Sequence, residues 1–286
     1  MRFAILGAGA IGAYVGAALV RGGSEVTLIA RGEHLRALRE RGVRVLSPRG
    51  DFAAHPKATD EIGAVAEADA VFVALKAYSL PEVAPRLAAA LGPETAVIAA
   101  PGVVRHVEGT RFSIGEPDGT LSERCGRISQ AFAAGGLKCP VERELRRELW
   151  LKLVGNAAFN PVTALTGATL GELGSLPEMV ALLRSILEEG AAVAAALGIE
   201  LPVSLERRLE AGIAVGDHRT SMLEDLEAGK PLEFECMTGA VVELAELLGI
   251  PVPHTRAVHA CVKLLDALRR RAGDAAGPRP AAASRI

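Results

Sequence analysis

Three polar residues in one short stretch have types and a spacing that suit chemistry. Asn156 and Asn160 are the only two asparagines in the chain, and Lys152 is one of six lysines among 32 basic residues. They lie four residues apart, so on an α-helix they form a polar strip along one face. The apolar residues around them predict that this strip is half-buried and lines a site.

Lysine suits this strip in a way that arginine does not. Burial can lower the pKa of an ammonium group, so Lys152 can donate a proton, whereas a guanidinium group stays protonated. The alternative is a solvated helix face, but the preceding segment "ERELRRE" builds such a face from Arg and Glu. Asparagine is a poor residue for a helix interior, and Pro161 predicts a kink or local break just after the strip.

A glycine-rich turn follows the first apolar segment of the chain. Gly7, Gly9 and Gly12 stand between a predicted strand and a predicted helix. In a dinucleotide-binding turn the first glycine permits the bend, the second lets pyrophosphate approach, and the third lets helix and strand pack closely. The pattern also fits an ordinary strand–helix turn, but its flanking elements favour a cofactor. The expected cofactor-binding residues are Gly7, Ala8, Gly9, Ala10, Ile11 and Gly12.

The end of the second strand indicates which nicotinamide cofactor the chain prefers. NAD enzymes usually carry an acidic residue there, whereas this chain has Ala30 and Arg31. Arg31 can pair with a 2′-phosphate, so we expect NADP(H); the alternative is a solvated arginine that opens a helix. Lys76 ends the fourth strand, where ligands of such sheets bind, although it also fits the point where that strand meets water.

The segment "RTSMLEDLEAGKPLEFECMTG" contains two more candidates, each with a structural alternative. Ser221 or Thr220 can cap a helix, and Glu224 is placed to complete a capping box with Ser221. Glu233 is predicted to open a long apolar helix, where a carboxylate complements the helix dipole. The residues by themselves leave functional and structural roles open.

The first half of the chain alternates strands and helices, which predicts an α/β fold with a doubly wound parallel sheet of the Rossmann type. This part is expected to be a cofactor-binding domain over residues 1–140. Its predicted strands are Arg2–Leu6, Glu25–Ala30, Val43–Leu46, Ala70–Leu75, Val103–Val107 and Arg111–Ile114. Its predicted helices are Ile11–Val20, Glu33–Arg41 and Pro81–Leu91.

From about Val141 helical periods replace this alternation, and glycines stand where C-terminal caps are expected. We therefore predict an all-helical second domain over residues 141–272, followed by a disordered tail over 273–286 that has few bulky apolar residues. The predicted helices are Glu142–Thr166, Pro177–Leu197, Val203–Ile213, Ser221–Ala228, Leu232–Leu248 and His254–Arg271.

The composition argues against several other classes of protein. A net charge of −2, two Tyr and one Trp give no indication of a nucleic acid or an anionic membrane as partner. No apolar run is long enough to span a bilayer. The four cysteines form no CxxC pair and the six histidines no HExxH pair. We therefore expect free thiols in a reducing cytoplasm, and no metal site.

Over nearly its whole length the chain resembles the ketopantoate reductases (2-dehydropantoate 2-reductases). The resemblance rests on five motifs in the family's order: "GAGAIG", "ARGEHL", "ALKAY", "LWLKLVGNAAFNPVTALTG" and "TSMLEDLEAGKPLEFE". The lysine–asparagine helix and the serine-to-glutamate spacing are far more specific than the glycine turn. The resemblance implies NADPH-dependent reduction of 2-dehydropantoate to pantoate, in pantothenate and coenzyme A biosynthesis.

The resemblance also implies a role for each residue of the helical part. Lys152 would hydrogen-bond the C2 carbonyl oxygen of the substrate and protonate it as negative charge develops there. Asn156 and Asn160 would position the hydroxyl end of the substrate, and Ser221 would bind its carboxylate. Glu233 would lie near the nicotinamide.

On the cofactor side, Lys76 matches a lysine of the family. The site would be a cleft between the two domains that closes to exclude water. The implied partners are NADP(H) and a small 2-oxo acid in a cytoplasmic enzyme, with a homodimer as the assembly to consider.

The chain departs from the family's pattern at one place. Family members continue from the fourth-strand helix into a strand that ends in an Asn-Gly loop, and then into a further helix and strand. About 30 residues, one βα unit, are missing here near Val97–Ala100, so the loop asparagine has no counterpart and the sheet is expected to be shortened. Two alternatives follow: a reductase of another 2-oxo acid, and an NADP-binding homologue with impaired catalysis.

Overall fold

The computed structural model describes residues 1–47, 50–93, 95–99 and 111–275. The chain folds into two compact units, Met1–Leu145 and a second unit that begins at Arg146. Each unit buries apolar clusters of its own.

The described strands of the first unit are β1 (Arg2–Leu6), β2 (Glu25–Ile29), β3 (Val43–Val45), β4 (Phe52–Ala54), β5 (Lys57–Thr59), β6 (Ala70–Val73) and β7 (Ala96–Ala99). The helices are α1 (Ala10–Arg21), α2 (Gly32–Arg41), α3 (Leu80–Ala90) and α4 (Glu123–Ala134), with short 3₁₀ turns at Ile62–Glu67 and Ala77–Ser79. Five strands form one parallel sheet in the order β5-β2-β1-β6-β7, and β3 and β4 form a separate antiparallel pair.

This strand order confirms the predicted doubly wound α/β fold. The central strand β1 pairs in parallel with β2 and with β6, so that Leu6 lies beside Ile29 and Val73. Strand β6 is buried along its whole length, as expected for a parallel strand that is covered on both faces. The carboxyl ends of the three strands meet at one edge of the sheet, which is where folds of this kind bind ligands.

The predicted strand Arg111–Ile114 is wrong, because the segment forms only isolated bridges with the chain around Pro140. The amide of Ile114 donates to the carbonyl oxygen of Pro140 at 3.0 Å. Proline has no N–H with which to extend a ladder of hydrogen bonds, so the pairing stays local. The predicted strand Val103–Val107 lies outside the described residues.

The second unit contains only helices as regular structure within the described residues, which confirms the predicted all-helical second part. No helix in the described ranges is long and apolar enough to cross a membrane. The elements are α5 (Leu145–Thr166), α6 (Leu170–Leu173), α7 (Pro177–Ala196), α8 (Leu205–Ile213), α9 (Ser221–Glu227), a π-helix at Glu235–Gly239, α10 (Ala240–Leu248) and α11 (Pro253–Ala275).

The predicted single helix Leu232–Leu248 is wrong. Residues 232–234 have no regular structure, and the π-helix Glu235–Gly239 separates them from α10. The backbone amide of Leu232 donates to the carboxylate of Asp266 at 3.3 Å. This long-range hydrogen bond holds the segment before the π-helix against α11, and no local feature of the sequence indicates it.

Helix α5 continues through Pro161, so of the predicted kink or local break the break is wrong, and the kink stays a prediction. The helix is buried on both sides of this proline, and neighbouring helices hold it in place despite the missing backbone hydrogen bond. Val154 and Phe159 of α5 belong to an apolar cluster that includes Leu183 of α7 and Leu209 of α8. This cluster fixes the helix that carries the lysine–asparagine strip.

Helix α11 begins at a buried carboxylate. The side chain of Glu189 in α7 accepts hydrogen bonds from the backbone amides of His254 at 2.9 Å and Thr255 at 2.7 Å. These amides would otherwise lack partners at the helix start. The helix extends to Ala275, three residues into the segment predicted to be a disordered tail; residues 276–286 lie outside the described part of the chain.

Glu116 organises the start of α4, a helix that the sequence patterns did not indicate. Its buried carboxylate accepts hydrogen bonds from the Arg124 guanidinium, with Nε at 2.6 Å, and from the Ser122 hydroxyl. Ser122 in turn caps α4 by accepting from the amide of Cys125. The hydrogen bonds from Arg124, followed by that from Ser122, lower the pKa of Glu116 to about 2.

We expect Glu116→Gln to lower the free energy of unfolding by about 2 kcal/mol near neutral pH, because a charged acceptor of several hydrogen bonds is lost. The pKa of Glu116 is lowered in the folded state. Its stabilising effect is therefore present above the pKa of the unfolded chain and is lost as the pH falls towards about 2.

Urea unfolding of both proteins across this pH range measures the effect. The difference in stability between wild type and variant should shrink on acidification. Glu123→Gln, at an exposed position in the first turn of α4, is the matched control. A difference that does not change with pH would contradict the assigned role of the Glu116 carboxylate.

Candidate active site

The glycine turn joins β1 to α1 at the carboxyl edge of the sheet. Gly7 has a φ of +99°, and a Cβ there would lie 2.8 Å from the backbone oxygen of Ala74. A Cβ on Gly12 would lie 2.0 Å from the carbonyl oxygen of Gly7. Gly7 is therefore needed for its backbone conformation and Gly12 for the close approach of the helix to the turn.

Gly9 differs from these two, since among the described residues no heavy atom beyond its chain neighbours lies within 4 Å of the place where its Cβ would be. It is the N-cap of α1, and no side chain caps this helix. Gly9 and Ala10 are exposed, Ile11 is half-buried and Ala8 is buried. The open space beside an uncapped helix N-terminus fits an anion such as a pyrophosphate.

The side chain of His34 forms a hydrogen bond with the glycine turn. The sequence patterns did not predict this contact. The Nε2 of His34 lies 2.6 Å from the carbonyl oxygen of Ala8. A carbonyl oxygen can only accept a hydrogen bond, so Nε2 carries the proton and donates. His34 is part of the "ARGEHL" motif, but nothing in that motif indicates that its side chain reaches back to the glycine turn.

Arg31 and Lys76, two of the three other residues predicted to bind the cofactor, lie at the same edge of the sheet. Arg31 is the N-cap of α2 and its side chain is exposed. The end of β2 lies beside the glycine turn, because the amide of Gly7 donates to Ile29 at 3.2 Å. Lys76 is half-buried and precedes the 3₁₀ turn after β6. Ala74, which contacts Gly7, is two residues before it.

The lysine–asparagine strip lies on α5, and its burial increases along the helix. Lys152 is exposed, Asn156 is half-buried and Asn160 is only 7% exposed. The amide nitrogen of Asn160 donates to the sulfur of Met237, in the π-helix, at 3.7 Å. The strip therefore runs from a solvent-accessible lysine into the interior of the second unit.

Protein atoms around Lys152 desolvate its ammonium group and lower its pKa from the usual value, although the side chain keeps an exposed surface. Desolvation disfavours the charged form, so the ammonium group loses its proton more readily. A proton donor works best when its pKa lies near the working pH. This environment suits the general acid that the sequence predicts at Lys152.

The start of α9 lies against the end of the same strip. The hydroxyls of Thr163 in α5 and Thr220 are 2.5 Å apart. Thr220 is the N-cap of α9 and accepts from the amide of Leu223. The capping box predicted between Ser221 and Glu224 is therefore wrong, because Thr220 occupies the capping position. Ser221 is half-buried in the first turn, and its hydroxyl is not used as the cap.

Glu233 lies in the irregular segment before the π-helix and is 7% exposed. The thiol of Cys236 donates to its backbone oxygen at 3.0 Å. His259 of α11 contacts the π-helix at two places. Its Nδ1 lies 3.0 Å from the hydroxyl of Thr238, and its ring centroid lies 5.5 Å from that of Phe234. Helices of this rare type are frequent at functional sites.

The four cysteines form no disulfide bond. All four are free thiols: Cys125 and Cys139 are buried, whereas Cys236 and Cys261 are exposed. Burial raises the pKa of Cys139 to about 12, which keeps it protonated. Among the described residues, no group of three or more His, Cys, Asp and Glu side chains could hold a metal ion.

Gly9 and Gly12 give a matched pair of variants, because the Cβ position is open at Gly9 and blocked by backbone at Gly12. We expect Gly9→Ala to fold with an unchanged melting temperature and to bind NADPH at least tenfold more weakly, because its methyl group would enter the open space. Gly12→Ala should lose thermal stability, because its methyl group would meet a backbone oxygen that cannot move aside.

Thermal unfolding without cofactor and NADPH titration by intrinsic fluorescence separate the two effects. Normal NADPH affinity in Gly9→Ala would show that the open space is not the pyrophosphate site. Unchanged melting of Gly12→Ala would contradict the close approach of α1 to the turn.

Two models of protein families match the sequence of the chain. The model described as "Ketopantoate reductase PanE/ApbA" matches residues 3–108, and "Ketopantoate reductase PanE/ApbA C terminal" matches residues 144–266. The first match contains the glycine turn, Arg31 and Lys76. The second contains the α5 strip, Ser221 and Glu233.

Individual relatives agree with these matches. The 2-dehydropantoate 2-reductase of Mesorhizobium japonicum is 34% identical, with 93% of this chain and 98% of that protein covered. The alignment extends over 318 positions, more than the 286 residues of the chain, so this relative has residues without a counterpart here.

Solved structures show the same architecture. A PanE/ApbA family ketopantoate reductase from Ralstonia eutropha JMP134 superposes with a TM-score of 0.86 at 29% identity, covering 94% of this chain and 100% of that one. D-mandelate dehydrogenase, in complex with NADH and anilino(oxo)acetate, shares the fold with a TM-score of 0.83 at 18% identity, at 94% and 100% coverage. By its sequence and by its two matched family models, the chain belongs to the ketopantoate reductase family of oxidoreductases.

Proposed function

We propose that the protein reduces 2-dehydropantoate to pantoate with NADPH, in pantothenate and coenzyme A biosynthesis. The observation that carries this proposal is the α5 strip, in which Lys152 precedes two amides, Asn156 and Asn160, on one helix face. Membership of the family supports reduction of a small 2-oxo acid. The choice of NADPH rests on Arg31 at the end of β2, where no carboxylate is present.

In the proposed reaction a bound nicotinamide cofactor would supply the hydride that is added to C2 of the substrate. Lys152 hydrogen-bonds the C2 carbonyl oxygen, stabilises the negative charge that develops on it, and donates the proton that converts the alkoxide to an alcohol. Asn156 and Asn160 hold the hydroxyl end of the substrate. Ser221 offers its hydroxyl to the carboxylate, and this role is compatible with its absence from the helix cap.

On the cofactor side, the glycine turn would hold the pyrophosphate through Gly7, Ala8, Gly9, Ala10, Ile11 and Gly12. Arg31 would pair with the 2′-phosphate and Lys76 would contact the cofactor beyond β6. Glu233 would lie near the nicotinamide. The support for these roles is the shared sheet edge of the turn, Arg31 and Lys76, and the clearance at Gly9.

A cytoplasmic location and a homodimeric assembly stay predictions. The first follows from the free cysteines and the second from the family resemblance. Both concern the setting of the enzyme, and neither enters the chemistry proposed for Lys152.

An NADP-binding homologue with impaired catalysis is the second candidate, because the chain lacks residues that the Mesorhizobium relative has. NADPH oxidation at 340 nm with 2-dehydropantoate distinguishes the two candidates, with a panel of other 2-oxo acids beside it. Saturable NADPH binding without turnover on any of these acids would favour the homologue without catalysis. Turnover of another acid at a much higher kcat/KM would replace the proposed substrate.

We expect Lys152→Ala to lower kcat by at least 100-fold while the Kd for NADPH changes little, because general acid catalysis is typically worth this much. The kcat of the wild type should fall as the pH rises through the pKa of Lys152, and the variant should lack this fall. Lys57→Ala, on the exposed side of β5, is the control. A variant as fast as the wild type would contradict the role of Lys152.

We expect Arg31→Ala to weaken NADPH binding by about 10- to 100-fold, because a charge-assisted pair with the 2′-phosphate is lost. Binding of NADH, which lacks this phosphate, should stay the same. Arg36→Ala, an exposed arginine further along α2, is the matched control. Equal losses for NADPH and NADH would show that Arg31 does not read the phosphate.

A further inference from the structure

Arg208 of α8 packs its guanidinium group against the middle of α5. The group lies 5.6 Å from the ring centroid of Phe159. It also approaches Gly155 so closely that a Cβ at that position would lie 2.0 Å from Arg208 Nη2. The guanidinium group therefore packs against one glycine and one aromatic ring of the helix that carries the polar strip. We call these two residues, Gly155 and Phe159, the seat of Arg208.

Gly155 is an unusual residue for this position, because glycine is among the least favourable residues in a helix interior. It lies in the buried part of a 22-residue helix. Its missing side chain leaves room for the guanidinium group. The residue that is unfavourable for the helix is therefore the one that makes room for Arg208.

The guanidinium group of Arg208 makes no ion pair and no hydrogen bond with the described residues of the chain. Its neighbour on α8, Glu206, pairs instead with Arg184 at 3.0 Å. Desolvation lowers the pKa of Arg208, yet a guanidinium group stays charged in a protein. A desolvated cation that has no protein anion is a suitable partner for the anion of a ligand.

The seat lies directly beside the strip proposed to hold the substrate. Gly155 follows Lys152 by three residues and Phe159 follows Asn156 by three, and residues three apart are neighbours on a helix surface. Arg208 therefore approaches α5 between the levels of Lys152 and Asn160. Ser221, the residue expected to meet the substrate carboxylate, offers a hydroxyl but no charge.

We propose that Arg208 binds the carboxylate of the 2-oxo acid substrate and sets the preference of the site for acids over neutral analogues. This inference rests on the proposed function, and it adds the cation that Ser221 cannot supply. A guanidinium group can pair with a carboxylate through two parallel hydrogen bonds. The cation–π contact with Phe159 uses no N–H group of the guanidinium, so these donors stay available for that pairing.

The first test compares Arg208→Met, which keeps a flexible unbranched side chain but removes the guanidinium group and its charge, with Arg207→Met. Arg207 is exposed on the same helix and is the matched control. We expect Arg208→Met to raise KM for 2-dehydropantoate by about 10- to 100-fold, with a smaller effect on kcat. The preference for the acid over its neutral lactone should fall by the same factor, and Arg207→Met should behave as the wild type.

A second variant keeps the arginine and alters only its seat. Gly155→Ala should displace the guanidinium group and raise KM, while alanine favours the helix and the melting temperature does not fall. If Arg208→Met fails to fold, Gly155→Ala still tests the proposal. A purely structural role for Arg208 predicts lower stability in both variants without a change in the preference for the acid.

Calorimetric titration of the NADP⁺-bound protein with pantoate, and with oxamate as a small 2-oxo acid analogue, measures binding without turnover. Binding without turnover in the wild type would defeat the proposed function but leave Arg208 testable by affinity. An unchanged KM, acid preference and pantoate affinity in Arg208→Met and Gly155→Ala would overturn this inference alone. A wild type that binds neither pantoate nor oxamate would overturn both.

Discussion

Helix α5 has to satisfy two environments at once, and the second unit depends on how it does so. Part of its surface buries Val154 and Phe159 in an apolar cluster with α7 and α8, while neighbouring positions carry the lysine–asparagine strip. The packed residues fix the position of the helix, so the polar side chains are held by contacts that take no part in chemistry. The desolvation that lowers the pKa of Lys152 comes from the same surrounding protein.

In the first unit, the candidate cofactor site depends on glycines, which have no side chain. Gly7 and Gly12 bring backbone close to backbone, which leaves no room for a Cβ, whereas the space beside Gly9 is open. His34 then joins the first turn of α2 to this loop through the carbonyl oxygen of Ala8. A site for an anionic cofactor thus needs tight packing on one side of the turn and clearance on the other.

The elements that were predicted well are those whose signals are local. The strand Arg2–Leu6 has the predicted bounds, because a continuous apolar run ends there at a glycine turn. α4 was missed, since its start depends on Glu116, which lies outside the helix and reaches its cap and first turn. The π-helix was also missed, because Thr238 and His259 meet there only after folding.

The sequence by itself determined the family, the doubly wound first unit, the helical second unit and the face shared by Lys152, Asn156 and Asn160. These follow from periodicity and from motifs that are contiguous in the chain. Only the tertiary structure decided that Thr220 rather than Ser221 caps α9, and that Arg208 is seated against Gly155. Residues from different helices come into contact only when the helices pack together. The spacing of residues along one helix therefore does not predict which side chain of another helix will contact it.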